Sequence, residues 1–168
     1  RFAKSEIVPS NKDRFLRKET LQGFVHDEAS AFFGGLAGNA GLFSTARDVA
    51  RVYQMLLNGG EIDGQRYLSK ETCQLFTTET SKISRRGLGF DKPDADDPKK
   101  GNCAPAAPAE VYGHTGFTGT CAWVDPVNEL VYVFLSNRIY PDVTNRKLNQ
   151  LHIRERIQGA IYDAMKKK

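Results

Sequence analysis

The run Leu130-Val131-Tyr132-Val133-Phe134-Leu135 constrains this chain more than any other stretch. Six apolar residues without polar alternation make a strand that needs cover on both faces. A turn signal stands before it: in Asp125-Pro126-Val127-Asn128 the proline presets φ at the second position, and the aspartate can bond the amides that follow. The spacing predicts an antiparallel hairpin between residues 120–124 and 130–135, with residues 111–117 as a third strand. The fold class expected is α+β, an antiparallel sheet of about three strands with helices flanking it.

The third strand runs into Gly113-His114-Thr115-Gly116-Phe117-Thr118-Gly119-Thr120, where glycines are interleaved with imidazole and hydroxyl side chains. Two readings fit these eight residues. In one, polar groups project from a backbone that a ligand can approach closely, as an active-site strand requires. In the other, the strand is bulged and His114 is a hydrogen-bonded strand histidine.

Helical periodicity supplies the cover. Val49, Val52, Tyr53 and Leu56 recur at three and four, Thr45 with Asp48 makes a capping start, and Gly59-Gly60 ends the element. A shorter helix is expected from Ser69 as N-cap to about Phe76, with Glu71 in the first turn. At the C-terminal end Ile153, Ile157, Ala160, Ile161, Ala164 and Met165 form one stripe, with Arg154, Arg156, Gln158 and Asp163 expected to face away.

The rest divides by composition. Residues 1–43 read as an irregular arm and a glycine-rich loop, 44–90 as the helical part, 91–110 as a proline-rich surface loop, and 111–168 as the strands and last helix. In the arm, His26 and Asp27 are candidates for a polar pair near a cleft or for a local turn device. The glycine-rich loop Gly34-Gly35-Leu36-Ala37-Gly38-Asn39-Ala40-Gly41 invites a phosphate-binding reading, but no Gly-Lys-Ser/Thr follows and the glycine spacing is wrong. No cofactor is expected.

Composition narrows the function classes. A chain of 168 residues with 40% hydrophobic and 26% charged residues can bury a core as one domain. The net charge of +4 comes from scattered bases, Arg85-Arg86, Lys99-Lys100 and the 166–168 lysines among them, which read as solvated surface. The aromatics lie in apolar runs rather than among these bases, which argues against nucleic acid. No run approaches the roughly 18 apolar residues of a membrane span. Cys73, Cys103 and Cys121 share no metal-ligand spacing with His26, His114 or His152, so no metal is expected.

Taken together, Gly34 to Thr45, Leu56-Leu57-Asn58-Gly59-Gly60, Arg86-Gly87-Leu88-Gly89-Phe90, the His114-Thr115-Gly116 strand and Leu135-Ser136-Asn137-Arg138 resemble the C-terminal half of the class C β-lactamase and DD-peptidase-like serine hydrolases. More narrowly, the chain is similar to the β-lactamase-like domain that some proteins carry behind a glycoside hydrolase family 3, β-N-acetylhexosaminidase-like domain. The resemblance implies acyl transfer on a small acyl, peptide or β-lactam-type substrate in the periplasm or cell envelope. It implies catalytic roles for His114, Thr115 and Gly116 and substrate contacts from Phe117, Thr118, His26 and Asp27, the Phe117 amide being one oxyanion donor.

The nucleophile of such enzymes is the serine of a Ser-x-x-Lys motif, helped by Tyr-x-Asn or Tyr-x-Ser. Here Ser10 is followed at that distance by Asp13, Ser44 by Arg47, Ser69 by Thr72 and Ser81 by Ser84, and Tyr67-Leu68-Ser69 stands on the wrong side of the glycine loop. By family order the missing motifs lie upstream of Arg1, so the expectation is a fragment whose partner is the N-terminal half of its own domain. A homodimer through the 130–135 edge is a second expected contact. The alternative is a non-catalytic accessory module of a cell-wall glycan hydrolase.

Overall fold

The structure, a computed structural model, describes residues 2–78, 83–94, 96–97 and 101–167. Arg1, Ser81, Pro98, Lys99, Lys100 and Lys168 bear on the expectations above and lie outside the described residues.

The first thirty residues are more ordered than their polarity suggests. Strand β1 (Pro9–Lys12) pairs antiparallel with β2 (Thr20–Gln22), and helix α1 (Glu28–Phe32) follows. Asp13 builds the connection between the strands. Its Oδ1 accepts from the amides of Phe15 and Leu16 at 2.8 and 3.0 Å, and its Oδ2 accepts from the Arg17 amide and, at 2.6 Å, from Arg17 Nε. Burial acts to raise this carboxyl, but the Arg17 guanidinium and the three amides overcome it and hold Asp13 well below the usual carboxylate range. The irregular arm expected from composition is thus a hairpin and a helix, ordered by side-chain-to-main-chain bonds rather than by apolar alternation.

Helix α2 (Ala46–Leu57) starts where Thr45 Oγ1 accepts from the Asp48 amide at 3.1 Å and stops at Asn58, before Gly59 and Gly60. Val52 leaves the predicted stripe and lies exposed, while Tyr53 and Leu56 are half-buried. A small hairpin follows, β3 (Glu61–Ile62) against β4 (Gln65–Arg66), turning through Asp63-Gly64. Helix α3 (Lys70–Thr77) is capped by Ser69, whose Oγ accepts from the Thr72 amide.

The central sheet runs β5 (Tyr112–Thr115), β6 (Cys121–Asp125) and β7 (Leu130–Phe134) in spatial order, both pairings antiparallel. Asp125 forms the hairpin turn as expected: its Oδ1 accepts from the amides of Val127 and Asn128 at 2.9 and 3.0 Å. Alternation along the strands puts Cys121 and Trp123 on one face with Tyr132 and Phe134, and Tyr112, Ala122 and Val124 on the other. Trp123 is 1% exposed and packs in a cluster with Cys103, Val111, Cys121 and Tyr132. Burying such a residue contributes on the order of 2–3 kcal/mol. Helix α2 covers the second face, with the Tyr53, Phe90 and Tyr112 rings in edge contact.

After a short helix α4 (Lys147–Gln150), helix α5 (Ile153–Met165) covers the first face, but not by the stripe the sequence suggests. Arg154 and Gln158 point inward with Tyr162, while Ile157, Ala160, Ala164 and Met165 are exposed. Each inward side chain makes at least one hydrogen bond, although Arg154 Nε is buried without a partner among the described residues. Arg154 Nη1 donates to Thr120 O at 3.2 Å, Gln158 Oε1 accepts from the Ala104 amide at 2.8 Å, and Tyr162 Oη donates to Asp125 Oδ2 at 2.8 Å. Main-chain groups left over by loops set the rotation of this helix, which an apolar-versus-polar pattern does not register.

The 91–110 segment also departs from a purely superficial loop. Cys103 and Ala104 are buried in the core, and Asp91 is fully buried. Arg85, expected on the solvated surface, closes on Asp91 with Nε to Oδ1 at 2.9 Å and Nη2 to Oδ2 at 3.1 Å, and Asn102 Nδ2 adds a third bond at 2.8 Å. Among the described residues no helix is long and apolar enough to cross a membrane.

Candidate functional site

Strand β5 owes its position to Gly113. A Cβ there would lie 2.1 Å from Ala122 O and 2.7 Å from the Trp123 ring, so only glycine lets β5 lie this close to β6. On its other side Gly113 exchanges two main-chain bonds with Asp91. In an antiparallel ladder the main-chain groups of alternate residues face the same edge, so the Thr115 N–H and C=O face outward like those of Gly113. The Asp91 bridge ends before Thr115, and that edge has no further strand among the described residues.

His114 Nδ1 lies 2.7 Å from Thr115 O. A carbonyl only accepts, so Nδ1 carries the proton and, in the neutral ring, Nε2 carries the lone pair. The Thr115 hydroxyl has no hydrogen-bond partner among the described residues. Past Thr115 the chain folds into a tight turn: Gly116 N donates to Thr120 O at 2.7 Å and Gly119 N to Gly116 O at 3.0 Å. Gly119 takes φ +111°, where a side chain is strained and would also meet Ser136 Oγ. Within this turn the Phe117 amide has no hydrogen-bond partner among the described residues, which leaves a donor open beside the sheet edge. The Thr118 carbonyl accepts from the Arg138 amide at 2.8 Å, and Ser136 Oγ donates to Gly119 O at 2.8 Å.

The Phe117 ring draws the amino-terminal hairpin to this turn. His26 stacks on it, ring centroids 5.2 Å apart and planes within 4°, and the Arg138 guanidinium lies 4.7 Å from its centroid. Arg17 Nη1 and Nη2 hold the carbonyls of Val25 and His26, each at 2.9 Å. Asn137 Nδ2 donates to Pro9 O. His26 Nδ1 is buried without a partner among the described residues. Burial first, and the charge of Arg17 second, push the His26 imidazole below its ordinary value.

Of the seven residues singled out by sequence, His114, Thr115, Gly116, Phe117 and Thr118 are consecutive along the edge and turn, and His26 reaches them through Phe117. Asp27 does not join them. Its Oδ1 caps α1 through the Ser30 amide at 2.7 Å and also meets Asn39 Nδ2, and that capping bond holds its carboxyl low. Of the two readings of His26-Asp27, Asp27 takes the local one, as a cap, and no hydrogen bond joins it to His26 among the described residues. Arg17 escaped the sequence reading, and Asn137 and Arg138 entered it within the Leu135-Ser136-Asn137-Arg138 block but not as site residues. A cavity of about 490 Å³ opens elsewhere, at the Tyr112 end of β5 against Lys70 and Cys73, and none of the seven residues lines it. The candidate site is an open strand edge.

A sequence profile described as Beta-lactamase matches residues 6–155. The chain is 37% identical over 135 residues to a protein of Escherichia coli (strain K12) named "Putative D-alanyl-D-alanine carboxypeptidase", which covers 80% of this chain and 31% of that protein. Proteins of the same name from Salmonella agona and Salmonella typhi match with the same identity and coverage. The chain thus spans about a third of the length of the curated relatives it matches.

Proposed function

The chain belongs to the beta-lactamase family, and from that premise we propose that it supplies one wall of a serine acyl-hydrolase site, the nucleophile and its base residing on polypeptide outside these 168 residues. The observation that carries this reading is the unpaired Phe117 amide beside the outward edge of Thr115. A strand edge with one free amide in a fixed turn suits an extended acyl or peptide substrate, whose carbonyl oxygen gains charge during attack and needs a preorganised donor. His114 Nε2 is the lone pair available to move a proton, since Nδ1 is committed to Thr115 O. The free Thr115 hydroxyl orients a carbonyl or carboxylate of the substrate.

No serine in the chain precedes lysine by three positions, so the covalent route needs a group from elsewhere. The substrate we assign is a small acyl, peptide or β-lactam-type compound, and the names of the relatives favour a cell-envelope setting. The accessory-module alternative gains no support from those names.

Covalent labelling tests the reading. The 168-residue chain should take no label from a fluorescent penicillin or a nitrophenyl ester. A longer polypeptide carrying it behind the upstream motifs should be acylated on serine, and lose most of that label as His114→Ala. Rapid turnover by the 168 residues alone, or an unlabelled longer protein in which both upstream motifs are present, would overturn it.

A further inference from the structure

We propose that His26 is a positioning residue: its imidazole, pressed face to face on Phe117, fixes the turn that presents the Phe117 amide. The inference rests on the functional reading above for its purpose, but not for its test.

The geometry has three parts. First, the contact is a parallel stack at 5.2 Å, and the other group on that ring, Arg138, also bonds the turn through its amide to Thr118 O. Phe117 stays 61% exposed with both partners in place, so these two ring contacts are what hold it against the hairpin. Second, His26 is itself held. The Arg17 guanidinium binds its carbonyl and that of Val25, and Arg17 is anchored to Asp13. The chain of contacts Asp13, Arg17, His26, Phe117 therefore runs from a buried carboxylate to the turn. Third, the imidazole is placed to act as a neutral plate. Nδ1 is buried with no acceptor among the described residues, so protonating it would bury an unpaired N–H.

The charged groups around the ring set its response to pH. Arg17 on the hairpin opposes a positive imidazole, whereas Glu28, Asp13 and Asp27 favour one, and Arg138 lies on the Phe117 ring that His26 stacks against. Burial sides with Arg17, so the stack stays neutral until the pH falls below the ordinary histidine range, and then loosens.

Amide spectra of the 168-residue chain read this directly. In the wild type, the Phe117, Thr118 and Gly119 amide signals should shift together as His26 titrates. His26→Ala should move or broaden the same three signals at neutral pH. His26→Phe, which keeps a stacking plate and removes the titration, should restore their neutral positions and abolish their acid shift. The inference fails if His26→Ala leaves those signals in place, or if their acid shift persists in His26→Phe. Neither outcome depends on acylation, so an unlabelled longer protein with a responsive turn would remove the functional reading alone.

Discussion

Asp91 and Gly113 exchange two main-chain hydrogen bonds, Asp91 N to Gly113 O at 2.7 Å and Gly113 N to Asp91 O at 3.0 Å. The bridge pins Asp91 to the outer edge of β5 and stops two residues before Thr115. The edge is thereby fixed at one end and open at the other.

Gly113→Ala should be severely destabilising. A methyl group 2.1 Å from Ala122 O forces β5 away from β6, and overpacking of this kind costs about 3 kcal/mol or more. Urea unfolding should show the midpoint fall, with the Phe117 amide signal displaced even where the chain still folds.

Arg85→Met should cost about 3 kcal/mol, the low end for removing one partner of a buried pair, because Arg85 keeps a third of its side chain in water. Burial acts to raise the Asp91 carboxyl, but Arg85 and Asn102 outweigh it and hold the group low. A depressed carboxyl stabilises the fold above its unfolded value and loses that contribution as pH falls through the folded one. Acid unfolding of Arg85→Met should therefore begin at higher pH than in the wild type.

The three thiols should be silent to thiol reagents until the chain unfolds. Burial pushes Cys103 up to about 12 and Cys121 up to about 11, and it raises Cys73 as well. A thiol raised in the fold favours folding below its unfolded value and withdraws that support as pH climbs, so stability should decline between about pH 9 and 12. Rapid native-state labelling of any of the three would contradict this.

The outer edge of β7 should recruit a second chain. Ladder alternation turns the N–H groups of Val131 and Val133 to that open side, and no charge or proline guards it. Light scattering should show association rising with concentration. Val133→Pro, which removes one outward donor without touching the bonds to β6, should weaken it; a strictly monomeric wild type over a wide range would refute the edge contact.

Legibility followed the reach of each interaction. Thr45, Ser69 and Asp125 bond amides two or three residues away, so their caps and turn could be read from spacing alone. The Asp63-Gly64 hairpin was also legible but went unread among flanking polar residues. The inward rotation of Arg154 and Gln158 was not, because their partners at Thr120 and Ala104 lie 34 and 54 residues away. At the site, the residues from His114 to Thr118 announced themselves through glycine spacing. Which of His26 and Asp27 reaches them depended on whether α1 claimed the aspartate as its cap.

The sole tryptophan of the chain sits where the middle strand meets two thiols and the last helix. Trp123 is consequently an optical gauge built into the protein: its emission should be blue-shifted and dimmed in the intact state, and it should brighten and redden when α5 lifts from the sheet, with no dye or label attached.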